Sequence, residues 1–124
     1  MKPRIIKMTT ESDNIKEEIK EITEKCIRCG LCRTSCSVLR IMREECYSPR
    51  GKLVMLDNDL IEKIIYECNL CKACVIQCPL NLKICDSFIN ARKILINQKK
   101  EIPELKEIIK NIDNTGNIFG IKDK

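Results

Sequence analysis

Apolar side chains in this chain recur at helical spacing, and no segment sustains the alternation of a strand. Ile15, Ile19 and Ile22 form a one-sided stripe, with Lys16, Glu17, Lys20 and Glu21 elsewhere on the surface. The stripe predicts a helix capped by Thr10, Ser12 or Asp13 and running to about Thr23, after an extended or disordered segment 1–11. A helix beginning near Arg33 is expected to carry Cys36, Leu39 and Arg40. It ends before Ser48-Pro49, because the residue before a proline disfavours the α region. Ser48-Pro49-Arg50-Gly51 is a turn signal opening a helical piece through Leu53, Val54 and Leu56. Asp57 or Asn58 is then expected to cap a helix that turns Leu60, Ile61, Ile64 and Ile65 inward. Residues 86–100 read as a helix with Phe88, Ala91, Ile94 and Leu95 inside. Pro103 suits a first helical position, and Leu105, Ile108, Ile109 and Ile112 form a last amphipathic stripe. The predicted fold class is all-α, with a main unit over 12–100 and a C-terminal helix and tail over 101–124.

Ten cysteines change this picture. Eight of them fall in two copies of one pattern, Cys26-x2-Cys29-x2-Cys32-x3-Cys36 and Cys68-x2-Cys71-x2-Cys74-x3-Cys78, the second followed by Pro79. All four positions repeat at a 42-residue offset. This is the run that holds 4Fe-4S clusters in two-cluster ferredoxins, where the fourth cysteine of each run ligates the other cluster. The pattern therefore predicts two 4Fe-4S clusters in a pseudo-twofold repeat. Cys26, Cys29, Cys32 and Cys78 are expected to hold one, and Cys68, Cys71, Cys74 and Cys36 the other. Gly30 allows close backbone approach in the first loop, whereas the second loop has no glycine. Structural zinc asks for separated ligand pairs or histidines, and the chain has no histidine. A secreted disulfide scaffold is not expected either, since MKPRIIKMTT lacks an apolar signal region.

Composition adds three points. The 124 residues hold only two Tyr, two Phe and no Trp, so the core is thin and the clusters are expected to be coupled to folding. The formal charge of +5 counts every cysteine as neutral. Ligated clusters add roughly −4 in total, which brings the assembled protein near neutrality. For the basic residues near the cysteine runs, among them Arg28, Arg33, Arg50, Lys52 and Lys72, the most economical role is to offset that charge, with a plain solvated surface as the alternative reading for part of the set. No aromatic interleaving or binding motif supports nucleic acid as a partner. No stretch is long and apolar enough to span a bilayer, and a reducing, cytoplasmic location is expected, with any membrane association only through partners.

The wider sequence resembles a known group. The two cysteine runs, the Ser48-Pro49-Arg50-Gly51 between them, Tyr66-Glu67-Cys68-Asn69-Leu70-Cys71 and Cys78-Pro79 are similar to the helical dicluster ferredoxin domain of one oxidoreductase group. That group includes the C subunit of heterodisulfide reductase and the iron–sulfur subunits of glycolate oxidase and anaerobic glycerol-3-phosphate dehydrogenase. The resemblance covers roughly residues 12–120. Gly116-Asn117-Ile118-Phe119-Gly120 resembles the group's GNPFG segment, which in fused members leads into a cysteine-rich module with CCG motifs. Ser37 departs from the pattern by replacing the proline after Cys36.

The resemblance implies an electron-transfer subunit between a flavin-bearing partner and a separate cysteine-rich, CCG-type partner, with residues 101–124 in docking. No nucleophile–base pair, phosphate loop or nucleotide fingerprint is present, so no substrate-converting site is expected in this chain. Two other readings share the motifs: a relay for metalloenzyme assembly or reductive activation, and a structural module whose clusters only hold the fold. Cys46 and Cys85 lie outside the runs. Both read first as small buried hydrophobes, with Cys46, near the SPRG turn, the more interesting of the two.

Overall fold

The computed structural model describes residues 2–122, with side chains from Glu11 to Lys122, and within them the chain forms helices and no strand. Helix α1 spans Lys2–Lys25. It starts well ahead of the expected Thr10–Asp13 cap, so the segment 1–11 is helical from Lys2, while Met1, like 123–124 of the expected tail, lies outside the described residues. Pro3 is tolerated in a first turn, and no glycine or second proline interrupts the helix. Ile15 and Ile19 are buried where α1 packs on the two central helices, α3 (Pro49–Asp57) and α5 (Ile84–Asn97).

The helix expected from Arg33 is divided in two. A 3-10 turn covers Leu31–Arg33, and the short α2 covers Ser37–Met42. Cys36 precedes α2 as its N-cap in extended conformation, and its Sγ accepts the Leu39 N–H at 3.5 Å. A cysteine inside a continuous helix would follow that helix's face; this break frees Cys36 to point elsewhere.

Helix α3 is set by the Ser48-Pro49-Arg50-Gly51 sequence. Ser48 Oγ accepts the Gly51 N–H at 2.9 Å and donates to the Glu45 carbonyl at 2.7 Å, and Pro49 occupies the first turn. A Cβ on Gly51 would collide with the Glu45 carbonyl oxygen, so only glycine lets α3 sit against this turn. Asn58 closes α3 and does not open a new helix as expected. Its Nδ2 donates to the Val54 carbonyl at 2.8 Å, and Asp59 turns left-handed at φ 57°. Only a 3-10 segment, Lys63–Glu67, follows; Ile65 is buried and Leu60 exposed.

The short α4 covers Ala73–Gln77, and α5 is the core helix. Ile84, Phe88, Ala91, Ile94 and Leu95 are all almost fully buried. Full burial of one such large side chain stabilises by about 1.5–3 kcal/mol. Arg92 of α5 donates to the carbonyls of Ile65 and Cys68 and stacks 5.3 Å from the Tyr66 ring centre, tying the second cysteine loop to the core. Helix α6 spans Pro103–Thr115 and contains no buried residue. No helix among the described residues is long and apolar enough to cross a membrane.

Candidate metal centre

The two cysteine loops have one backbone conformation. Arg28 and Leu70, at equivalent positions, take φ 57° and 56°, and Gly30 and Lys72 take φ 79° and 63°. The Arg28 N–H donates to Cys26 Sγ at 3.4 Å, and the Leu70 N–H donates to Cys68 Sγ at 3.4 Å. The second loop makes the turn without glycine. Lys72 adopts the left-handed region at a cost of about 1–2 kcal/mol. In the first loop a Cβ on Gly30 would meet the Arg50 guanidinium at 2.8 Å, so glycine there makes room for Arg50.

Each run then turns out of its helical segment before its fourth cysteine. Cys78 is the C-cap of α4 at φ −69°, ψ 121°, and Cys36 takes φ −79°, ψ 112°. The Leu31–Arg33 turn and α4 pack against each other, which brings the two runs face to face. As a result Cys26, Cys29, Cys32 and Cys78 together line one cavity. A second is lined by Cys68, Cys71, Cys74 and Cys36. Leu53, Leu80, Leu82 and Ile84 wall the first.

The donor set fits a multinuclear cluster. The thiols line the walls of a cavity, and among the described residues no three metal-binding side chains converge on a single point. A mononuclear zinc site needs that convergence, with sulfurs about 2.3 Å from one ion. A cubane takes one thiolate at each of four irons and spreads them apart. Burial pushes up the pKa of the Cys32 thiol, with the Arg50 backbone N–H opposing it, and burial pushes the Cys74 thiol up strongly. Thiolates at these depths need a positive centre, which bound iron supplies.

The model of one family, described as a 4Fe-4S dicluster domain, matches residues 22–82. These residues belong to the 4Fe-4S dicluster family. The dicluster domain is also similar to longer proteins. Over 111 residues the chain is 32% identical to the probable glycolate oxidase iron-sulfur subunit of Bacillus subtilis (strain 168), covering 75% of this chain and 25% of that protein. It is 30% identical over 86 residues to the C subunit of the ferredoxin:CoB-CoM heterodisulfide reductase of Methanosarcina acetivorans, covering 66% of this chain and 34% of that one. Lactate utilization protein B of an Exiguobacterium species is 28% identical over 92 residues, covering 68% and 20% respectively. The chain thus spans roughly a third or less of the length of these relatives.

Between the cavities of the dicluster domain lies the Ser48–Lys52 segment. Arg50 lines the first cavity and Pro49 and Lys52 the second. Glu45 bridges Arg33 and Arg50, with Nε–Oε distances of 2.8 Å to each. Burial raises the Glu45 pKa, but the Arg50 hydrogen bond and the charges of Arg50 and Arg33 outweigh it and hold the carboxyl below its ordinary value. Ser37, in place of proline, receives a hydrogen bond from Asn69 of the other loop at 3.4 Å.

The two extra cysteines reverse the order of interest expected from sequence. Cys85 is 2% exposed, lines the second cavity and lies 4.0 Å, sulfur to sulfur, from Cys74. Cys46 lines neither cavity, and its Sγ sits 3.7 Å from Glu44 Oε2. Closeness to the SPRG turn was the wrong signal. The spacing of Cys85 to Phe88, one helical turn on the buried face of α5, was the informative one.

Proposed function

We propose that this chain is an electron-transfer subunit that holds two 4Fe-4S clusters, one on Cys26, Cys29, Cys32 and Cys78 and the other on Cys68, Cys71, Cys74 and Cys36. The observation that carries the reading is the pair of cavities, each lined by three cysteines of one run and the fourth of the other. A bound 4Fe-4S cluster accepts and releases single electrons. The chain's own residues seat the clusters, keep water from their inner faces with Leu53, Leu82 and Phe88, and supply N–H donors to the thiolates.

The partners fitting this role are a flavin-bearing protein and a cysteine-rich protein of the CCG type, in the cytoplasm. Two similar proteins carry names that place them as an iron-sulfur subunit and as a reductase subunit. Helix α6 supports docking: Ile108, Ile109 and Ile112 are 38, 46 and 44% exposed along one stripe. Asn117 Oδ1 accepts the N–H groups of Phe119 and Ile121 at 3.1 and 3.0 Å, holding the tail in a defined turn that leaves Phe119 exposed. Residues 103–120 are therefore the proposed contact with a partner chain. Anaerobic purification from the native host, with identification of bound chains and reduction of the clusters by a reduced flavoprotein, tests the reading. Clusters that stay oxidised at every potential a flavin reaches would refute it.

A further inference from the structure

Lys52 is 1% exposed. Its Nζ donates to the Tyr47 carbonyl at 3.2 Å and lies 5.8 Å from the centre of the Phe88 ring. None of the ion pairs among the described residues involves it. One carbonyl and one ring face are poor compensation for an ammonium removed from water. Lys52 also lines the second cavity, beside Cys36, Cys68, Cys71 and Cys74. The first cavity is different. Its cations, Arg28 and Arg50, keep side chains 57% and 30% exposed and are already paired with Asp57 and Glu45.

Resting on the proposed two-cluster function, we propose that Lys52 is the buried counter-charge of the second cluster and makes it the higher-potential member of the pair. A reduced cluster carries one more negative charge than an oxidised one, and a fixed cation in a low-dielectric wall favours the reduced form. Arg28 and Arg50 act more weakly on the first cluster, because Asp57, Glu45 and solvent cancel much of their field. Electrons on the domain therefore rest on the cluster held by Cys68, Cys71, Cys74 and Cys36.

The test is an EPR-monitored redox titration of the full chain with both clusters loaded. Iron analysis of the wild type comes first and checks the two-cluster reading separately: a value near half the expected iron sinks that reading and this proposal with it. Lys52→Met should lower one midpoint potential by at least the tenfold change in electron partition that corresponds to about 59 mV for one electron. The other midpoint should stay in place. Lys52→Arg should restore the shifted one. Cys71→Ser and Cys29→Ser label the two signals, and the signal altered by Cys71→Ser must be the one that Lys52→Met moves. Unchanged potentials, equal shifts of both, or a shift in the Cys29 signal overturn the proposal. If Lys52→Met does not load, Lys52→Gln replaces it. Failure of both uncharged variants with normal loading of Lys52→Arg supports the counter-charge role; failure of Lys52→Arg as well assigns Lys52 to packing and overturns it.

Discussion

The Sγ atoms of Cys74 and Cys85 lie 4.0 Å apart, buried together against the second cavity. Five cysteines thus line a cavity in which a cubane needs four. Cys85 belongs to α5, and its neighbours Ile84 and Phe88 are core residues, so it packs as a small hydrophobe at the edge of the site. Cys85→Ala should leave the iron content unchanged and cost about 1 kcal/mol, the usual loss for one missing buried group of this size. Cys74→Ala should lose a cluster. Iron analysis and chemical denaturation of both variants check this, and loss of iron from Cys85→Ala would make it a ligand.

The crossed arrangement predicts stoichiometry and coupling. Acid-labile sulfide and iron should each be about eight per chain. Because the fourth cysteine lining each cavity comes from the other run, Cys36→Ser and Cys78→Ser should each perturb the cluster of the opposite run. The doubly reduced protein should show magnetic coupling by EPR. Removing iron with a chelator should unfold the loop regions along with the clusters, seen as lost helical circular dichroism.

The turn at Gly51 is intolerant of a side chain. Gly51→Ala drives a Cβ into the Glu45 carbonyl and should destabilise by at least the 1–3 kcal/mol typical of overpacking. Ser48→Ala removes the cap of α3 and a buried hydroxyl that both donates and accepts, at about 1–2 kcal/mol. Thermal unfolding of the loaded proteins should rank Gly51→Ala as the less stable.

The Arg33–Glu45–Arg50 bridge has a defined pH behaviour. The Glu45 carboxyl is held below its ordinary value in the folded protein, so the folded state binds this proton less readily than the unfolded chain does. The stabilisation is complete above the unfolded value of about 4.3 and is lost as pH falls through the lower folded value. The difference in stability between wild type and Glu45→Gln should therefore be flat from pH 7 to pH 5. A difference that shrinks within that range would contradict the assignment.

Helix α6 should be dispensable for the clusters. Ending the chain at Ile102 removes α6, none of whose residues is fully buried, and should leave iron content and EPR signals unchanged. The same truncation should abolish capture of the partner chain. Loss of iron on truncation would show that α6 supports the fold, and intact capture would remove it from the docking surface.

The sequence alone determined the chemistry of this protein. Two registers of thiolates at one offset, with no histidine, specify iron–sulfur ligation through spacing, which is a local property of the chain. The helical periodicity of α1, α5 and α6 was likewise legible, because amphipathic spacing reflects burial within a single element. Tertiary structure decided the rest. Asn58 has the sequence of a helix start but closes α3, since its side chain is taken by the Val54 carbonyl. Lys72 adopts a glycine-like conformation because the loop around the cavity demands it. Lys52 of α3 and Cys85 of α5 reach the second cavity, where these two helices are in contact, and Cys46 reaches neither cavity. The burial and charge that distinguish the two cavities arise where distant segments meet, and the spacing of residues along the chain carries no record of that.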